Sequence, residues 1–385
     1  MPSPPPLEGV RVLEVGNFMA GPFCGMQLAD LGADVIKVEN PAGGDMVRQT
    51  APFLDGESSN FVRLNRNKRS LALDLKSASG KEVFRKLIAR TDIVIENLRP
   101  GTMKDLELDY DRLQQINPRL IYVAASGWGQ TGPYAQLAGL DIMAQAMSGL
   151  MSITGPEGGE EPVKVGVPIC DLVCALYGAL AAVAALQARE RDGRGQHIDV
   201  SLFEAGVSLA VWEAGRYFAT GEVGRPLGSA HQTTAPYQAF RASDGFFTAG
   251  AGSPANWLAL CQVLGLEHLP ADPRFATNPD RHSNRSELIP LLEAVTRTRP
   301  VDYWIDALQE AGVPCGAIQD YGDVFNDPHL AARHFFWDAA HPTLGAVRQV
   351  GSPMRLGRTP VREGGAGPRL GEHTDEILAE LGAGS

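Results

Sequence analysis

Residues 172–188 carry no charge, and this stretch narrows the folds open to the chain more than any other feature. Seventeen uncharged residues belong either in a bilayer or against a protein core. Their many alanines, Gly178 and the modest length favour the core of a soluble protein. The opening Pro2-Ser-Pro-Pro-Pro6 has neither the basic flank nor the apolar run of a signal peptide. A cytoplasmic protein with no membrane partner is therefore expected. Just ahead of the stretch, Gly166-Val-Pro-Ile-Cys-Asp171 sets a carboxylate at the predicted N-terminus of a buried helix. Unpaired N–H groups and a partial positive charge there favour the ionised form. An ionised, poorly hydrated carboxylate is a nucleophile. On position alone, an ordinary N-cap is the commoner meaning of such an aspartate.

The first 130 residues alternate strand and helix signals. Residues 10–15, 34–39, 71–75, 92–96 and 120–124 are β-rich, and helical spacing marks 21–31 and 110–116. Ser79 is the expected N-cap of a helix with Val83, Phe84, Leu87 and Ile88 on one face. Such repetition predicts an α/β fold with an open parallel sheet. From residue 221 the character changes. A Gly-, Pro- and Thr-rich linker leads to a β-type run at 245–251 and helices near 255–264, 286–296 and 301–311. The expected division is a large domain over 1–220, a smaller α+β domain over 221–330, and a return to the large domain over 331–385.

A net charge of −11 argues against a nucleic-acid partner but leaves room for a local basic pocket. Five scattered cysteines suit free thiols in a reducing compartment. Cys170 and Cys174 lack a nearby His or further Cys, so no metal is expected.

The turn Gly16-Asn-Phe-Met-Ala-Gly21-Pro-Phe-Cys-Gly25 is glycine-rich, and Glu39 closes the second strand. Its spacing is not that of a dinucleotide fingerprint, so NAD is not expected. Arg63, Arg66, Lys68 and Arg69, with Lys76 beyond the next strand and Arg99 and Lys104 after another, form two basic clusters. They are either solvated loops or a site for a ligand carrying several phosphates. Asp141 alone reads as a surface cap. No Ser-His-Asp set, G-x-S-x-G elbow or P-loop is present.

Together these pieces resemble the family III CoA-transferases, a superfamily that includes formyl-CoA and carnitine CoA-transferases and the α-methylacyl-CoA racemases. The matches run nearly end to end. They include Leu7-Glu-Gly-Val-Arg-Val-Leu-Glu14, Leu31-Gly-Ala-Asp-Val-Ile-Lys-Val-Glu39, Gly44-Asp45, Asn65-Arg-Asn-Lys-Arg-Ser70 and Asp92-Ile-Val-Ile-Glu-Asn97. Later matches are Gly312-Val-Pro-Cys-Gly316 and Leu370-Gly-Glu-His-Thr374. The resemblance implies a Rossmann-like large domain built from both chain ends and a homodimer of two chains interlinked like rings. It puts the nucleophile on Asp171 and makes an acyl-CoA and a carboxylic acid the substrates. Contacts to coenzyme A are implied for Met19 and Ala20, for Asn40, for Leu73, Asp74, Leu75 and Lys76, for Asn97, Leu98 and Arg99, for Lys104, and for Gly139, Leu140 and Asp141.

Three departures matter. Met19 replaces the glutamine of formyl-CoA transferases, Asn40 replaces an arginine of several members, and the loop 228–234 lacks a long glycine run. Oxalate or formate specificity is therefore not expected. The implied chemistry is CoA transfer through an aspartyl mixed anhydride and an aspartyl-CoA thioester, with loop 228–234 closing over Asp171. The nearest rival is an acyl-CoA epimerase, which needs a second base where this chain has Leu140. An NAD-dependent oxidoreductase and a non-catalytic acyl-CoA binder are the remaining alternatives.

Overall fold

The computed structural model describes residues 3–382. Its largest element is a six-stranded sheet of β1 (Arg11–Val15), β2 (Asp34–Glu39), β3 (Lys68–Ala72), β4 (Ile93–Glu96), β5 (Ile121–Ser126) and β6 (His197–Ser201). All neighbours are parallel, in the order β3-β2-β1-β4-β5-β6. This is the order of a doubly wound Rossmann-type sheet, whose strand direction of travel reverses between β1 and β4.

Strand residues alternate between two helical layers. Leu13, Ile36, Val94 and Tyr122 face Phe84 and Leu87 of α2 (Ala78–Ile88) and Leu113 of α3 (Tyr110–Ile116). Val12, Val35, Ile93, Ile121 and Val123 face Leu28 and Ala29 of α1 (Ala20–Asp30). Ala175, Ala179, Ala182 and Ala185 of α5 (Ile169–Asp192) complete that second layer. Between them in the chain lies α4 (Asp141–Met147), and α6 (Leu202–Ser208) and α7 (Val211–Thr220) follow β6.

Three expectations shift. Ser77, not Ser79, caps α2, its hydroxyl accepting from the Gly80 N–H. The strand expected at 71–75 begins at Lys68 and ends at Ala72, because residues 73–77 turn toward α2. α4, α6 and α7 had no strong signal in the sequence. The uncharged helix α5 is also not buried all round. Its alanine face packs on the sheet, but Leu176, Tyr177 and Leu180 are exposed, Leu180 at 65%.

The chain divides into two compact units, one of residues up to 151, 164–222 and from 329 on, the other of 152–163 and 223–328. The short excursion 152–163 goes with the second unit, where Glu157 pairs with Arg285 (2.7 Å) and the Gly228 N–H donates to Gly155 O (3.0 Å). The sequence division kept that excursion with the large domain. The second unit holds an antiparallel sheet of β7 (Tyr237–Arg241), β8 (Phe246–Gly250) and β9 (Cys315–Ala317) over its own core of Phe240, Phe247, Trp257, Leu288 and Leu308. In the first unit the returning chain forms a hairpin, β10 (Phe336–His341) and β11 (Gly345–Val350), and the helix α8 (Thr374–Gly382).

Candidate active site

Asp171 is the third residue of α5, whose N-cap is Pro168. It is therefore not itself the cap. That role falls to Asp141, the first residue of α4. Its Oδ1 accepts from the Cys170 N–H (2.9 Å) and the Asp171 N–H (3.3 Å), while Gln145 Nε2 donates to its Oδ2 (2.6 Å). Asp141 thus caps a neighbouring helix. The helix amides expected to keep Asp171 ionised are engaged by another carboxylate.

Asp171's own carboxylate accepts no hydrogen bond among the described residues. Burial, with Asp141 adding repulsion, raises its pKa to about 7. A carboxylate with no donor and a near-neutral pKa is more basic, and more nucleophilic, than one held by a cation. This corrects the expectation of an aspartate stabilised as an anion by its helix. The surroundings press Asp171 toward neutrality and make its ionised form reactive.

Three helix starts converge here. Ala20 at the start of α1, Ala144 of α4 and Cys170 and Cys174 of α5 share one buried apolar cluster. Gly139 lies against Gly127 and Trp128, and Leu140 is exposed. The positions Met19, Ala20, Gly139, Leu140, Asp141 and Asp171 therefore fall in one neighbourhood.

A second group lines a cleft of about 310 Å³ at the carboxyl ends of β1, β2 and β3. It gathers the expected Asn40, Leu73, Asp74, Leu75, Lys76 and Leu98. Gly16, Asn17, Glu39, Gly44, Asp45, Thr102 and Leu106 also line it. A crevice beside the reversal of strand order is where open α/β sheets bind ligands. Arg99 and Lys104 are exposed on the segment that gives Leu98, Thr102 and Leu106 to the wall.

Asn97 does something more local. Its Oδ1 accepts from the Asn17 N–H (2.9 Å) and its Nδ2 donates to Asn17 O (2.8 Å), clamping the turn from β1 to α1. The turn approaches so closely that a Cβ on Gly21 would lie 2.9 Å from Asn97 Oδ1.

The basic run 63–69 offers no free charge to the cleft, because it precedes β3 or opens it and its side chains are engaged within the fold. Arg66 is buried against Asp30 (2.6 Å), Arg69 pairs with Asp34 (2.6 Å), and Arg63 donates to Ser59 O (2.8 Å). Lys68 is fully buried and salt-bridged to Glu14 (2.7 Å). Glu14 also pairs with Lys37 (2.7 Å), and Lys37 with Asp45 (2.8 Å). Burial alone would raise the Glu14 carboxyl, but Lys37 and Lys68 hold it below its ordinary value. This cluster was missed from the sequence. The available signal was a charge inside each of two apolar strands, Glu14 in Val12–Val15 and Lys37 between Ile36 and Val38.

Glu39 accepts from Arg48 Nε (2.7 Å) and Nη2 (2.7 Å), from the Asp45 N–H (3.0 Å) and from Ser70 Oγ (2.7 Å). Those donors occupy the lone-pair sites that a nicotinamide enzyme would offer to a ribose. Among the described residues no cluster of His, Cys, Asp and Glu has the makings of a metal site.

A family model described as CoA-transferase family III matches residues 7–374. The chain belongs to the family III CoA-transferases. The mouse succinyl-CoA:glutarate CoA-transferase is 38% identical over 377 residues, covering 98% of this chain and 86% of that one. The succinyl-CoA:mesaconate CoA-transferase of Haloarcula hispanica is 38% identical over 391 residues, with 98% and 97% covered. Among solved structures, a CaiB/BaiF family protein from Brucella suis superposes with a TM-score of 0.88 at 40% identity, over 98% of this chain and 100% of that one. This protein is accordingly an enzyme, a CoA-transferase acting on CoA thioesters.

Proposed function

We propose that this CoA-transferase moves CoA from a short dicarboxylyl thioester such as succinyl-CoA to a second carboxylic acid, with Asp171 as covalent nucleophile. The observation that carries the reading is the Asp171 carboxylate itself, half-buried, free of hydrogen-bond donors and raised to about 7 by burial and by Asp141. The names of the mouse and Haloarcula relatives support a succinyl donor.

An Asp171 oxygen attacks the thioester carbonyl carbon, the C–S bond breaks, and CoA leaves as a thiolate. The thiolate attacks the aspartyl carbonyl of the resulting anhydride, releasing the donor acid and leaving an aspartyl-CoA thioester. The acceptor carboxylate attacks that thioester and expels the thiolate again. The thiolate then takes the acceptor's acyl carbon, and Asp171 is regenerated. Each step exchanges one activated acyl link for another, which divides a hard transfer into easier ones.

In this reading Asn40, Leu73, Asp74, Leu75, Lys76 and Leu98 take the body of CoA, and Arg99 and Lys104 take its phosphates. Met19, Ala20, Asn97 and residues 139–141 flank the path to the thioester. The epimerase alternative is not favoured, since Leu140 offers no second base. Hydroxylamine added during turnover of succinyl-CoA with glutarate should leave a hydroxamate on Asp171, read by peptide mass spectrometry. Turnover without any adduct on that residue sinks the covalent reading.

The same reading includes a homodimer. On α7, Trp212, Tyr217 and Phe218 are exposed, Phe218 at 83%, and α5 adds Leu176, Tyr177 and Leu180. Apolar faces of this kind on a soluble chain mark protein interfaces. Light scattering should give the mass of two chains at micromolar concentration. A monomer would overturn this part of the proposal.

A further inference from the structure

The turn from β1 to α1 and the first turn of α1 behind it are held at five backbone atoms by side chains remote in sequence. Lys37 Nζ donates to Gly16 O (2.9 Å), Asp45 Oδ1 accepts from the Phe18 N–H (3.1 Å), and Lys68 Nζ donates to Pro22 O (2.7 Å). Asn97 holds the N–H and carbonyl of Asn17. The clamp keeps Phe18 at φ +61°, a left-handed conformation costly for a residue other than glycine. What it leaves over is specific. The N–H groups of Met19, Ala20 and Gly21 have no partner among the described residues. Ala20 packs in the same buried cluster as Cys170, the residue before Asp171.

The clamp is made of charge where apolar packing would serve stability as well. Glu14, Lys37, Asp45 and Lys68 are all buried, and together they are neutral. Replacing a buried ion pair by apolar groups of similar volume is often neutral or stabilising. Stability alone therefore gives no reason for four desolvated charges. The tethering of Gly16, Phe18 and Pro22 does.

We infer that Lys37 and Asp45, braced by Glu14 and Lys68, are positioning residues for catalysis. They fix the turn so that the Met19 and Ala20 amides meet the oxyanion that forms as Asp171 attacks the thioester. The inference rests on the transfer chemistry proposed above. Preorganised donors of this kind act chiefly on the transition state, and small displacements are felt strongly.

The test is the charge-neutral double variant Lys37→Met/Asp45→Asn, which frees Gly16 O and keeps an acceptor for the Phe18 N–H. Its control is Arg66→Met/Asp30→Asn, another buried pair, which touches no atom of the turn. Transfer from succinyl-CoA to glutarate is measured per folded enzyme, with kcat and KM separated. Wild-type transfer is established first, because its absence would sink the underlying reading rather than the clamp. The first variant should lose about a hundredfold in kcat. Its KM for succinyl-CoA should change less than about threefold, since the amides are assigned to the transition state. The control should keep its kcat. Unchanged kcat in the first variant, or an equal loss in both, overturns the inference. Should the first variant not fold, Glu14→Gln/Lys68→Met frees Pro22 O and carries the same expectation. A wild-type crystal soaked with succinyl-CoA decides independently of folding, because a thioester oxygen beyond hydrogen-bond reach of both amides is fatal to it.

Discussion

Asp171→Asn should abolish transfer while making the folded protein harder to melt above neutral pH. The activity loss follows from the chemistry, since an amide cannot form the anhydride, and at least about a 10³-fold fall in kcat is expected. The stability gain follows from linkage. Asp171's folded pKa is raised to about 7 from an ordinary 3.8, so its contribution is intact below 3.8 and is lost progressively as pH rises from there to the folded value. At pH 8 the wild type carries an ionised carboxylate in a half-buried site beside Asp141. The asparagine variant does not. Discounted for partial solvation, the difference is about 2 kcal/mol at pH 8 and under about 1 kcal/mol at pH 5, vanishing only below the ordinary carboxylate value, where Asp171 is neutral in the folded and unfolded chain alike. Melting curves at the two values check it. The wild-type rate should climb with pH to a plateau above about 7, because attack needs the carboxylate. Equal melting of wild type and variant at pH 8 would remove the case for a strained nucleophile.

Gly25→Ala should prevent folding or lower stability by about 3 kcal/mol or more. A Cβ at Gly25 would lie 2.1 Å from Glu14 Oε2. That oxygen has nowhere to go, because Lys68 holds it at 2.7 Å while Lys37 holds its twin at 2.7 Å. Relief means moving α1 off the sheet or breaking a buried ion pair. Soluble yield and denaturant melts report the outcome, and a variant as stable as wild type would show that the cluster is softer than its geometry.

Much of the doubly wound sheet was legible because its strands alternate between two apolar layers and its helices carry one-sided patterns. The cleft residues came from resemblance, and Asn40, residues 73–76 and Leu98 do gather around one crevice. The basic run 63–69 misled, since a sequence cannot show what carboxylate a buried charge meets. Asp141 was undervalued for a related reason. A cap that serves a helix 30 residues on leaves no local trace. Helix α5 read as buried because composition reports that a surface is apolar, not what covers it.

The seam between the chain's beginning and its far end has a consequence for synthesis. Arg69 at the edge strand β3 pairs with Glu376 and Glu380 of α8, and Arg11 pairs with Glu380 as well. That closure waits for residues 307 and more positions downstream. Meanwhile the inserted second unit emerges with a hydrophobic core of its own. On the ribosome the insert can complete itself first, while its host stays open until α8 arrives. A nascent enzyme of this design has its carrier framework finished last.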